Sequence, residues 1–378
     1  MRVALILKRR VLDMIHKGLK GVTCTETALC DIDGEKGVLI YRGYDAKELA
    51  QKHTFEEVAH LLWYGRLPKQ NELEELKEKF QQSRDLPQHL KVIINEIPKE
   101  QDMLDVIRTA ISAFTLTSYE KPLIDDAIRL TSVIPAIIAY RDSIINQTEM
   151  PEIRTDLDHV AYYLYLIQGK LPDQSYVEAL KTYMILTMEH GLNASTFSAR
   201  VTASTESDLI SSITAAVGTM KGPLHGGAPT GVIELLNECA TANNIEHLIK
   251  NKIINGEKLM GFGHRVYKTV DPRAEALKNV LMKEKRADDW FDLALNVEKT
   301  AIKALAELKP GRGLYTNVEY YAAAIMKELN LPSNLFTATF TASRIVGWTA
   351  HVIEQLEDNV IFRPQAKYVG PMLTSQMK

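Results

Sequence analysis

The chain has 378 residues with 45 basic and 48 acidic side chains, a formal net charge of −3. It lacks the strong basic excess by which nucleic-acid-binding proteins are usually recognised. Apolar residues at 46% and charged residues at 25% describe an ordinary globular chain, and at about 150 residues per domain the length suggests two domains. Three cysteines, Cys24, Cys30 and Cys239, exclude a disulfide scaffold and fit a reducing, cytoplasmic compartment.

The N-terminus carries only a five-residue apolar run between charges, short of the 7 to 15 residues of a signal peptide. A basic transit peptide, or a natural start at Met14, are the alternatives for residues 1–13. No run reaches the ~18 apolar residues of a membrane helix, so a soluble protein is expected. Strand signal is confined to about residues 21–43, where a small hairpin around Gly34 is expected. Thr54/Glu57 and Ser175/Glu178 have capping-box spacing, and Thr205/Asp208 is an aspartate variant of it. Leu73, Leu76 and Phe80 form the stripe of an amphipathic helix. Helical period continues over 123–141, 176–190, 206–221, 274–308, 318–329 and 341–357. The fold class is mainly α. Glycine-rich breaks at 222–231, 261–263 and 311–313 suggest that 222–320 forms a smaller inserted unit.

Motifs of several common chemistries are missing. Gly261-Phe-Gly263 opens a dinucleotide fingerprint, but residue 266 is Val. The sequence contains no GxxxxGK[ST] loop, no HExxH and no GxSxG. His53 and His60 lie seven apart and read as surface or partly packed residues, and Cys24 and Cys30 lack a second pair for zinc. No metal is expected.

Three histidines adjoin glycine: His190, His225 and His264. Each alone reads equally as a helix cap or a packed imidazole; three together point to a cleft where backbone approaches a ligand. Arg273 follows Asp271-Pro, Glu319 stands in Leu-Tyr-Thr-Asn-Val-Glu, Arg344 in Ala-Ser-Arg, and Arg363 in Ile-Phe-Arg-Pro. Arg344 and Arg363 taken singly are surface arginines; as a set with Arg273 their planar forks suit a polycarboxylate.

These segments, in this order, resemble citrate synthase. The similarity runs from about Gly18 to about Tyr368 and includes Asp33-Gly-Glu-Lys-Gly, Tyr41-Arg-Gly-Tyr, Gly222-Pro-Leu-His-Gly-Gly-Ala and Gly261-Phe-Gly-His-Arg-Val-Tyr. The resemblance implies an almost all-α homodimer of bacterial or archaeal type. Its large domain would span 1–224 and 321–378, and its small, closing domain 225–320. The implied reaction condenses acetyl-CoA with oxaloacetate and hydrolyses citryl-CoA, the entry step of the tricarboxylic acid cycle. Acetyl-CoA is a substrate there, and no cofactor is implied. His225 would hydrogen-bond the thioester carbonyl, Glu319 would take the methyl proton, and His264 would polarise the oxaloacetate carbonyl. His190, Arg273 and Arg344 would hold oxaloacetate, with Arg363 reaching into the partner's site. Leu259, Met260, Gly261, Phe262 and Gly263 would cradle the CoA adenine, with Lys268 and Arg312 near its phosphates. The family pattern carries aspartate where this chain has Glu319, and a carboxylate displaced by about 1 Å can lose roughly a hundredfold in rate. Two other readings are a 2-methylcitrate synthase using propionyl-CoA and a catalytically weak dicarboxylate-binding regulator. The extra methyl of propionyl-CoA is worth only about 1–3 kcal/mol of discrimination, too little to read from a sequence.

Overall fold

Turn chemistry shapes the first element. A computed structural model describes residues 15–117, 124–226, 228–264, 266–283 and 289–371. Strand β1 (Cys30–Asp33) pairs antiparallel with β2 (Val38–Tyr41), and Asp33 Oδ1 closes the connecting turn by accepting from the N–H groups of Glu35 and Lys36 at 3.1 and 3.0 Å. Arg42 and Gly43, at φ 48° and 89°, then reverse the chain in two residues. Positive φ at both central positions matches the twist of a tight hairpin. The reversal adds a two-residue strand, β3 (Tyr44–Asp45), so the expected hairpin is the first part of a three-stranded sheet in the order β1-β2-β3.

Helices follow almost without interruption. They are α1 (Ala46–Lys52), α2 (Phe55–Tyr64), α3 (Gln70–Gln82), α4 (Gln88–Glu96), α5 (Met103–Ser112), α6 (Ile124–Asn146), α7 (His159–Gln168) and α8 (Gln174–Met188). Then come α9 (Ala194–Ala203), α10 (Leu209–Met220), α11 (Ala228–Thr241), α12 (Ile245–Ile254), α13 (Pro272–Lys283), α14 (Asp289–Leu308), α15 (Val318–Glu328) and α16 (Phe336–Glu357). The mainly α reading is correct.

Thr54 caps α2 through a complete capping box with Glu57, as its spacing predicts. The other two signatures serve different purposes. Helix α8 starts at Gln174, which places Ser175 inside the first turn, and Glu178 accepts from Gln174 and Lys181 instead. Asp208 itself caps α10 by accepting from Ser211 N–H, while the Thr205 hydroxyl returns to the Thr202 carbonyl at the end of α9. The segment expected as one helix over 274–308 is two, α13 and α14, and residues 284–288 between them lie outside the described residues. The glycine break expected over 222–231 is shorter, since α11 begins at Ala228.

Helix α16 is the axis of the larger bundle and packs against α2, α6, α8, α9 and α10. It is buried on every side, and its threonines remain satisfied there because Thr339, Thr341 and Thr349 donate to carbonyls four residues back at 2.8–2.9 Å. Helices α11 to α15 pack mainly on one another, with α13 and α15 also meeting α8. At their centre the buried Glu298 carboxylate on α14 accepts from Lys278 Nζ, Thr316 Oγ1 and Tyr321 Oη at 2.6, 2.8 and 2.7 Å. One apolar cluster runs through both groups. Among the described residues no helix is long and apolar enough to cross a membrane.

Replacing Thr54 with Ala removes the one hydroxyl that accepts from Glu57 N–H, so the loss is expected to be about 1 kcal/mol. A thermal-unfolding midpoint below that of the unchanged protein checks it.

Candidate active site

The site is assembled from helix ends and one helix interior. Helix α8 ends at Met188, and the chain turns through Glu189, His190 and Gly191 before Asn193 caps α9 by accepting from Thr196 N–H at 3.1 Å. His190 is buried, with Nε2 3.2 Å from Tyr267 Oη and its ring edge-on to His264 at 5.5 Å between centroids. Burial first, then the charge of Arg273, the neighbouring His264 and the charge of Arg344, drive its pKa well below the ordinary value.

His264 has a defined tautomer. Its Nδ1 accepts from the N–H groups of Val266 and Tyr267 at 3.0 and 3.1 Å. Burial, then Arg273, pulls its pKa to about 4, so at neutral pH the ring is uncharged and carries its single proton on Nε2. That Nε2 lies 3.3 Å from a guanidinium nitrogen of Arg273. Two N–H donors thus approach one point, the arrangement that suits a carbonyl or alkoxide oxygen.

Arg273 sits in the first turn of α13 and is held by Asp271, with Nε to Oδ1 at 3.0 Å and Nη2 to Oδ2 at 2.8 Å. Burial works against its charge, but the Asp271 carboxylate more than offsets this and keeps the guanidinium ionised. Asp271 also accepts from Arg273 N–H at 3.0 Å and from Val318 N–H, the first residue of α15, at 3.0 Å.

Glu319 stands one residue further along α15. Asn317 caps that helix by accepting from Glu319 N–H at 3.1 Å, and its amide donates to the Gly263 carbonyl at 2.9 Å. The cap therefore ties Glu319 to the loop bearing His264. Oε2 of Glu319 is enclosed and has no hydrogen-bond partner among the described residues. Burial pushes this carboxyl up to about 7 against the opposing pull of Arg273 and Arg344.

His225 lies in the turn after α10, partly buried, with Nε2 2.8 Å from Ser195 Oγ; burial, then Arg344, lowers its pKa to about 4. Ser195 Oγ also accepts from Trp348 Nε1 at 3.0 Å and lies 2.8 Å from Asn193 Oδ1. Arg344 is no surface arginine. It is buried in α16, donates from Nε to the Thr187 carbonyl at 2.6 Å, and stacks over Phe340 at 4.6 Å. Its charge acts on His190, His225 and Glu319, which places all four around one centre.

Six of the expected residues therefore converge: His190, His225, His264, Arg273, Glu319 and Arg344. Arg363 does not join them within the chain, lying exposed in the extended segment after α16. Leu259 and Phe262 are packed into the core, and the Gly261 and Gly263 backbones already bond Asn317 and Tyr315. Lys268 and Arg312 are exposed, and their segments adjoin where Gly313 meets the Lys268 carbonyl. Arg265 and Gly227 lie outside the described residues. Residue-by-residue reading missed Ser195, Tyr267 and Asn317. They stand five residues after His190, three after His264 and two before Glu319 respectively, and cap spacing before Glu319 is the available signal for Asn317.

The family described as citrate synthase, C-terminal domain, matches residues 18–365. A 2-methylcitrate synthase of Shewanella oneidensis is 39% identical over 93% of this chain and 94% of its own length. The crystal structure of citrate synthase from Thermotoga maritima superposes with a TM-score of 0.87 at 41% identity, covering 97% of this chain and 98% of that one. Citrate synthase from Thermoplasma acidophilum, solved as a ternary complex with carboxymethyl coenzyme A and oxaloacetate, superposes at 0.87 with 34% identity, over 97% and 98% of the two chains. The chain belongs to the citrate synthase family. It is an acyl-transferring enzyme.

His225 and His264 are uncharged down to about pH 4, whereas Glu319, the expected base, gains a proton as pH falls through about 7. A base must be ionised, so kcat/KM for the thioester should fall with unit slope below about pH 7. A pH–rate profile with no break between pH 5 and 8 contradicts the assignment.

Proposed function

We propose that the enzyme condenses acetyl-CoA with oxaloacetate and hydrolyses the resulting citryl thioester, releasing citrate and CoA. The observation that carries this reading is the convergence of a buried carboxyl poised near neutrality, Glu319, with two uncharged imidazoles, His225 and His264, around the buried arginines Arg273 and Arg344.

Glu319 takes a proton from the acetyl methyl, a very weak acid. The electron pair moves onto the thioester oxygen, where His225 supplies the hydrogen bond. Ser195 can turn its hydroxyl proton from Asn193 to His225 Nε2, which leaves the imidazole proton on Nδ1 for the substrate. The enolate carbon then attacks the oxaloacetate carbonyl, and the new alkoxide receives the His264 Nε2 proton beside Arg273, the imidazolate left behind being held by the Val266 and Tyr267 N–H groups until it recovers a proton from water. Arg344, Arg273 and His190 hold the carboxylates. Such donors are preorganised because backbone and carboxylate partners fix them before substrate arrives. Water must then cleave the thioester only after the carbon–carbon bond has formed. Closure of the 225–320 unit over oxaloacetate, bound first, supplies that order. The exposed cations Lys268 and Arg312, near the loop 259–263, suit the CoA phosphates.

In the homodimer we infer, Arg363 reaches the partner's site; the exposed extended segment carrying Val360, Ile361, Tyr368 and Val369 supports that contact. A place at the entry of the tricarboxylic acid cycle in the cytoplasm completes the reading. The 2-methylcitrate synthase relative favours propionyl-CoA as a second acyl donor.

CoA thiol release with oxaloacetate and each acyl-CoA decides between the donors, with the higher kcat/KM expected for acetyl-CoA. Replacing Glu319 with Gln should lower kcat by about 10²–10⁴-fold. Near-normal thiol release by that variant overturns its role, and no release from either thioester by the unchanged enzyme leaves the dicarboxylate-binding regulator. Mixing inactive Arg363→Ala and His264→Ala chains should restore activity through mixed dimers. If the mixture stays inactive, Arg363 does not act across the interface.

A further inference from the structure

The motif Asp33-Gly-Glu-Lys-Gly takes no part in the chemistry above, yet its turn lies directly against the loop that follows His264. Gly34 O accepts from Lys268 N–H at 2.9 Å. A Cβ at residue 34 would overlap the Val266 carbonyl oxygen and stand 2.9 Å from its carbon. Gly37, at φ 67°, leaves the same kind of clearance for the Val270 carbonyl, which a Cβ there would approach to 2.9 Å. The backbones touch because neither residue has a side chain.

The held segment does two things. Val266 and Tyr267 donate their N–H groups to His264 Nδ1, and the Tyr267 hydroxyl meets His190 Nε2. The same sheet reaches the second histidine loop from behind. Tyr41 Oη donates to the Glu189 carbonyl at 2.7 Å, and Ile32 Cδ1 stands 3.2 Å from where a Cβ of Gly191 would lie.

We propose that the 33–37 turn is a positioning element of the oxaloacetate site, with Gly34 its positioning residue. By clamping 266–268 it keeps two backbone donors on His264 Nδ1 and so confines the imidazole proton to Nε2. The inference rests on the reading of His264 as the group that polarises oxaloacetate.

The test uses the full-length enzyme with 15N-labelled histidine, the His264 signal being assigned by its loss in His264→Ala. Gly34→Ala should lower kcat by about 10–100-fold, leave KM for acetyl-CoA within about twofold, and mix the Nδ1–H tautomer into His264. Asp33→Ala loosens the turn without touching the loop and should shift kcat and tautomer the same way. Asp33→Asn, which keeps the acceptor for Glu35 and Lys36 N–H, should restore both. Wild-type kcat with a pure Nε2–H signal in Gly34→Ala overturns the proposal, as does a kcat loss that leaves the tautomer unchanged. Should Gly34→Ala fail to fold, the Asp33 pair decides by the same criteria. Full turnover by His264→Ala would sink the role of His264 instead, while the tautomer measured in Gly34→Ala still reports on the clamp.

Discussion

One buried carboxylate sets the geometry on which the site depends. Asp271 is 1% exposed and accepts four hydrogen bonds, two from the Arg273 guanidinium and one each from Arg273 N–H and Val318 N–H. It offsets the desolvation of Arg273, starts α13 and anchors the first turn of α15. Arg273 and the helix end bearing Glu319, proposed to grip oxaloacetate and to take the proton, are therefore referred to one side chain. Removing one partner of a buried pair typically costs about 3–5 kcal/mol, because the remaining charge is stranded. Here the same loss would also release the end of the helix carrying Glu319.

Around that anchor the charges are arranged by exclusion of water. Burial keeps all three imidazoles uncharged, reinforced at His190 by Arg273 and Arg344, at His264 by Arg273 and at His225 by Arg344, so none of them adds a further cation. The same two arginines oppose the burial that raises Glu319, which leaves the carboxyl within reach of neutrality. Arg344 achieves this from inside a buried helix, tied through Nε to the Thr187 carbonyl and stacked over Phe340. A formal charge of −3 over the whole chain gives no hint of two arginines enclosed in one cleft.

How much of this is legible in the sequence depends on whether a feature is local. The capping box at Thr54, the helices with an apolar stripe and the glycine-flanked histidines are written in neighbouring residues, and all are found in the structure. Helix α16 starts at Phe336, five residues before its expected beginning at 341, because a helix buried all round shows no stripe. The burial of Arg344 is invisible for the same reason. Thr205 and Ser175 have capping spacing but serve the preceding helix and the first turn, so the spacing alone misplaced two helix starts. The third strand turned on Arg42 adopting positive φ beside Gly43, a conformation no residue count reveals. Asp271 was visible as a letter, but its link to Val318, 47 residues on, exists only once the chain is folded.

Glu298 gives the second helical group a particular mechanical character. Its carboxylate gathers a half-buried lysine from α13, a buried threonine just before α15 and a buried tyrosine within it. A body riveted at its centre has little internal compliance. Glu319 stands two residues before Tyr321 on α15, so a shift at the rivet reaches it through less than a turn of helix, as travel at the end of a stiff lever.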